Sequence, residues 1–71
     1  MAIEVKSPMP GKVLRILVKE GDQVKMNDKI VVIESMKMEV DIVSTAGGTV
    51  KEIKVQEGNP VKTEEVIAVL E

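Results

Sequence analysis

The chain is built from an internal repeat. GKVLRILVKEGDQVK, beginning at Gly11, matches GTVKEIKVQEGNPVK, beginning at Gly48, at an offset of 48 − 11 = 37 residues. The register holds to both ends: Ile3, Val5 and Ser7 answer Val40, Ile42 and Ser44, and Ile30, Val32 and Glu34 answer Ile67, Val69 and Glu71. Residues 3–34 and 40–71 are therefore two copies of one unit, and a repeat of this length has to be read before any single motif. Only Ser35, Met36, Lys37, Met38 and Glu39 lack a counterpart, so they must join the copies.

Each copy carries apolar residues at alternating positions, Ile3 and Val5, Ile16 and Val18, Ile30 and Val32. Turn signals follow at Glu20-Gly21-Asp22 and Glu57-Gly58-Asn59, which predicts short strands joined by tight turns. Valine and isoleucine dominate the apolar set and there is no Phe, Tyr or Trp; branching at Cβ favours a pleated sheet over a helix. The step Val13, Ile16, Val18 recurs as Val50, Ile53, Val55, a three followed by a two, and predicts a bulge or a sharp twist in each copy. One copy cannot bury its own apolar face. Two can close on each other, which predicts one all-β domain over residues 1–71, a flattened barrel or sandwich of two pseudo-twofold-related four-stranded halves. At 71 residues the domain buries only about 60% of the surface its unfolded chain exposes.

Composition removes most catalytic chemistry. With no cysteine and no histidine, the chain has no thiol nucleophile, no disulfide, no zinc site of the common kinds and no Ser-His-Asp relay. Ten basic residues are scattered among twelve acidic ones, so neither nucleic acid nor an anionic membrane is an expected partner. The stretch Met1-Ala2-Ile3-Glu4-Val5-Lys6 lacks the basic and apolar regions of a secretory signal, no segment approaches a membrane span, and a cytoplasmic location is the expectation. Glu34, Glu39 and Asp41 lie close in sequence, but carboxylates at a strand end are ordinarily solvated and no second acid or base accompanies them. No residue is expected to be catalytic, and none to bind a metal.

The junction is different. Hairpin turns are usually built from Gly, Asn, Asp and Ser, whereas here two methionines flank a lysine. Symmetry sets this junction opposite the carboxyl terminus, so that Lys37 projects into solvent. Methionines gain nothing from water, but they repack against several partners and suit a surface read by other proteins. Lysine offers a primary amine on a long flexible stem, nucleophilic when unprotonated and able to carry a group as an amide. A lone loop lysine is ordinarily solvated decoration. Its position at the one unrepeated segment of a two-copy domain is what makes Lys37 the candidate site, with Glu34, Ser35, Met36 and Met38 as the recognition residues around it. Gly21 and Gly58 are read as turn residues, Met9 and Met26 as packing or turn-covering, and Pro8 and Pro10 as fixing the corner after the first strand.

From about Val5 to Glu71, through Ser7-Pro8-Met9-Pro10-Gly11, Val18-Lys19-Glu20-Gly21-Asp22-Gln23-Val24, Glu34-Ser35-Met36-Lys37-Met38 and Gly48-Thr49-Val50, the sequence resembles the biotin/lipoyl attachment domains of the biotinyl kind, as in biotin carboxyl carrier proteins. The family signature Glu-Ala-Met-Lys-Met places its lysine on Lys37. The resemblance implies that biotin protein ligase joins biotin to Lys37 through a biotinyl-adenylate. The biotin then carries carboxylate between a biotin carboxylase and a carboxyltransferase.

Three departures stand out. Ser35 replaces the usual alanine. Asn27-Asp28 and Glu64-Glu65 stand where the family often has glycine; asparagine tolerates left-handed geometry, but Glu64 and Glu65 predict another turn type in the second copy. The protruding loop of some acetyl-CoA carboxylase carriers is missing between Val18 and Lys19. Lipoyl domains share the fold, and only the flanks separate them: the lipoyl kind typically has an acidic residue before the lysine and alanine after it, where this chain has Met36 and Met38. A lipoyl carrier is the first alternative. The second is an unmodified structural barrel like that of efflux-pump fusion subunits, whose long helical insertion is here five residues.

Overall fold

The computed structural model describes residues 2–71; Met1, where the amino-terminal stretch begins, lies outside them. The repeat dictates a repeated list of strands. The first copy supplies β1 (Ile3–Lys6), β2 (Gly11–Ile16), β3 (Gln23–Val24) and β4 (Lys29–Ser35), and the second supplies β5 (Met38–Val43), β6 (Gly48–Ile53), β7 (Pro60–Val61) and β8 (Val66–Leu70). No helix occurs among the described residues.

The strands form two four-stranded sheets, in the orders β1-β8-β6-β3 and β5-β4-β2-β7. The four expected strands per copy are present, but the sheets are not the copies. Each copy gives two strands to each sheet, so the halves are interlocked: Ile3 of the first strand lies opposite Leu70 of the last, just as Val40 lies opposite Ile33. All neighbouring strands are antiparallel.

The predicted bulges are where the uneven spacing put them. Register slips between Val13 and Arg15 where β2 meets β4, and between Val50 and Glu52 where β6 meets β8. The bulge bends each strand and raises its twist, which lets two small sheets curl around one core. That core consists of symmetry mates: Val5 and Ile42, Val13 and Val50, Val24 and Val61, Ile30 and Ile67, and Ile33 and Leu70 are all buried. Met9 packs on its edge, whereas Met26, 63% exposed in its turn, stands outside it.

Two serines pin the turns. Ser7 and Ser44 are fully buried. Ser7 Oγ donates to the Met9 carbonyl at 2.6 Å and Ser44 Oγ to that of Ala46. Their backbones also hold the turns before β4 and β8: Asn27 N donates to Ser44 O at 2.8 Å and Glu64 N to Ser7 O at 2.7 Å.

The expectation of a different turn at Glu64-Glu65 is overturned. Glu64 has φ 68° and Asn27 has φ 75°, so both adopt the same left-handed geometry. Lys62 N donates to Glu65 Oε1 at 2.9 Å as Lys25 N does to Asp28 Oδ2 at 2.8 Å. The bond to buried Ser7 and the Glu65 side-chain bond outweigh the cost of placing a glutamate there, about 1–2 kcal/mol for a residue with a Cβ. Gly21 and Gly58, at φ 95° and 91°, make their turns without that cost.

Candidate functional site

β4 and β5 are adjacent and antiparallel, with Ser35 directly opposite Met38. That leaves Met36 and Lys37 as a two-residue hairpin loop, with φ 54° and 66°. Positive φ at both central positions is the signature of a type I′ turn, whose twist matches that of the strands. The preferred occupants are Asn and Gly; here both positions carry long side chains that the left-handed region disfavours. No other described residues adjacent in sequence share this geometry. The strand register imposes it, because β4 is clamped between β5 and β2 and is buried from Ile30 through Ile33.

The turn displays its side chains outward. Met36 is 92% exposed and Met38 67% exposed, and Lys37 is exposed as well. Among the described residues no ion pair holds the Lys37 amine. Met38 has a structural side that composition hid: opposite Ser35, it continues the face of β5 that carries Val40 and buried Ile42, so the core stripe runs out into solvent at the tip.

Behind the turn lies a row of charge. Glu34 is opposite Glu39 on one side and Lys12 on the other. Like charges facing across a ladder repel; Arg15 relieves this by reaching Glu39, Nη2 to Oε1 at 3.0 Å, while Lys29 takes Asp41 at 3.2 Å. Glu34 forms no ion pair among the described residues. The predicted residues Glu34, Ser35, Met36, Lys37 and Met38 thus form one continuous tip. Sequence reasoning gave Arg15 no role in it.

A concavity lined by Gln23, Val24, Lys25, Asp28, Gly48 and Thr49 includes none of these residues. Among the described residues no three His, Cys, Asp or Glu side chains converge as a metal site, and no helix is long and apolar enough to cross a membrane.

A strained hairpin thus holds an exposed amine at the end of an interlocked double repeat. The profile of the family described as "Biotin-requiring enzyme", the biotin/lipoyl domain, matches residues 3–70. The chain belongs to the biotin/lipoyl family. Within it, the chain is 47% identical over 38 residues to the biotin carboxyl carrier protein of Streptococcus mutans, covering 54% of this chain and 29% of that protein. It is 43% identical over 42 residues to the glutaconyl-CoA decarboxylase subunit gamma of Acidaminococcus fermentans, covering 59% and 29%. It is 41% identical over 44 residues to the biotinylated protein TB7.3 of Mycobacterium tuberculosis, covering 62% of each.

In three dimensions this biotin/lipoyl domain superposes on part of the urea carboxylase of Kluyveromyces lactis with a TM-score of 0.94 at 28% identity, over 99% of this chain and 6% of that one. The matches span from 6% to 62% of the length of these proteins.

Proposed function

We propose that this biotin/lipoyl domain is a biotin carboxyl carrier, with biotin joined by an amide to Lys37 and residues 1–71 acting as one non-catalytic module. The observation that carries the reading is the Lys37 amine, exposed and in no ion pair among the described residues, on a type I′ turn that its own side chains do not favour. Backbone strain concentrates where function uses it. Lys37 is the only residue of the 35–39 junction able to form such an amide.

The residues present fit the group. Lys37 Nζ, deprotonated, attacks the acyl carbon of an activated biotin in the ligase; the amide C–N bond forms, the bond to the adenylate leaving group breaks, and the amine proton is lost to a base or to solvent. Biotin, once attached, supplies a ureido nitrogen that accepts and gives up carboxylate. The protein's share is to hold the arm clear of the core and give it reach. Met36 and Met38 present adaptable apolar surface, and Glu34 and Ser35 complete the tip that a biotin protein ligase reads. The enzymes served are a biotin carboxylase and a carboxyltransferase, in keeping with the carboxylase and decarboxylase relatives. ATP-dependent ligation gives the module a cytoplasmic location.

The test is co-expression with a biotin protein ligase followed by intact-mass measurement and peptide mapping. One biotin, on Lys37, is expected. An unmodified chain, or a biotin on another lysine, contradicts the assignment. Lys37→Arg should abolish labelling and leave the melting temperature unchanged, since an exposed turn side chain contributes little to stability.

A further inference from the structure

The repeat supplies an internal control: mates 37 residues apart occupy the same backbone environment, so a difference between them is not required by the fold. Most mates agree in character. Four mates exchange a lysine for an apolar residue, and three of the four run one way; the fourth, Lys29 against Val66, runs the other, its ammonium held by Asp41. Leu14, Leu17 and Val43 stand where the other copy has Lys51, Lys54 and Lys6. The environments match closely, since Leu17 N donates to Ile30 O at 2.9 Å and Lys54 N donates to Ile67 O at 2.8 Å.

The three apolar residues share the sheet that bears Lys37. Val43 pairs with Lys29 at the start of β4. Leu14 occupies the β2 bulge, and Leu17 follows the end of β2 two residues after Arg15, which pairs with Val32. Leu17 is 45% exposed and Val43 36% exposed. The chain's one arginine, Arg15, stands between Leu14 and Leu17, and its mate is Glu52. On the opposite sheet Lys51 and Lys54 form ion pairs with Glu71 and Glu52, as a solvated face does. A single exposed leucine needs no explanation; three lysines replaced by leucine and valine on one sheet, against the single return at Lys29, do. Interface centres are depleted of lysine and enriched in apolar groups and arginine.

We infer that the outer face of the β5-β4-β2 sheet, centred on Leu17 and Val43, is the surface against which the enzyme that acylates Lys37 docks. The inference rests on the reading of Lys37 as the acylated residue. β4 and β5 run from the Lys37 turn into this face, with one register shift between Lys29 and Val31, so an enzyme that encloses the tip is brought against it. The charges fit such a partner. Glu39 and Asp41 are neutralised within the domain by Arg15 and Lys29, while Glu34, beside the tip, forms no ion pair among the described residues. A site that holds an acyl-adenylate presents positive charge to the phosphate, which suits a carboxylate at its rim. The contact is an apolar strip beside a basic pocket on the enzyme. On a molecule whose faces are near copies in shape, the lysines of the other sheet disfavour the wrong one.

The test uses a bacterial biotin protein ligase, biotin and ATP with the full 71-residue chain. Leu17→Lys combined with Val43→Lys places at both sites the residue that the other copy tolerates there. It should lower kcat/KM for biotin incorporation about ten-fold, chiefly through KM. Lys54→Leu combined with Lys6→Val should leave it unchanged.

Incorporation at the wild-type rate by the first pair, or an equal loss in the second, overturns the docking face. Melting temperatures separate a lost contact from a lost fold; if the pair melts far below wild type, Leu17→Gln and Val43→Thr replace it and the same criterion applies. A wild-type dimer in sedimentation that the first pair dissociates would assign the face to a second copy and also overturn the inference. A wild-type chain that takes no biotin fails at the earlier step and removes the assigned function itself, a result distinct from a loss confined to the variants.

Discussion

A methyl group on the α-carbon of Gly11 would stand 2.6 Å from the carbonyl oxygen of Glu34 and 3.2 Å from Cδ1 of Ile33. β2 approaches the base of the hairpin so closely that only a residue without a side chain fits. At the equivalent crossing, Gly48 faces the Glu71 carbonyl with a separation of 3.0 Å for the same added atom. Gly11→Ala should therefore destabilise the domain by about 1–3 kcal/mol, the usual cost of forcing an extra carbon into a packed site, and Gly48→Ala by less. Urea denaturation midpoints read the difference; equal midpoints would show that the Glu34 backbone yields freely.

The turn offers a second test. Met36→Asn together with Lys37→Gly installs the preferred pair for a type I′ loop and should raise stability by about 1 kcal/mol, or several degrees in melting temperature for a domain of this size. The same change removes the amine. A thermal melt showing no gain would mean that the observed φ values carry no strain.

Glu64 occupies left-handed backbone that its mate Asn27 tolerates more easily. Glu64→Asn should stabilise by about 0.5–1 kcal/mol, and Asn27→Glu should destabilise by a similar amount. Paired thermal melts of the two variants check the sign; shifts in the same direction would contradict the shared turn geometry.

Ser7 and Ser44 make equivalent buried bonds to the carbonyls of Met9 and Ala46. Ser7→Ala and Ser44→Ala should each cost about 1–3 kcal/mol, because each leaves a carbonyl short of a partner. The two losses should agree within about 0.5 kcal/mol in chemical denaturation. A large difference would show that the copies are not equivalent in energy.

Much of this was legible in the residues. The 37-residue offset marks the uneven steps at Val13 and Val50 and isolates Lys37, because alternation and its interruption are written directly in the apolar pattern. The exchange of strands between copies was not legible: Ile33 and Leu70 look alike whether each pairs within its own copy or across to the other. Glu64 misled for a related reason. Local propensity sees a glutamate but not the carbonyl of Ser7, 57 residues away in the chain, which captures its N–H. The burial of Ser7 and Ser44 had one faint signal, their recurrence in both copies, and Met38 declared its place on the core face of β5 only once Ser35 was seen opposite it.

The pairing of β1 with β8 also bears on how the domain is made. Ile3 leaves the ribosome more than sixty residues before Leu70, and β6, the other neighbour of β8, waits on the same strand. Until translation has passed the last strand, one sheet has no centre and the other has nothing to pack against. In a domain of this design the hairpin is set on a closed core only once the last strand is in place, so whatever acts on the Lys37 turn meets a finished domain.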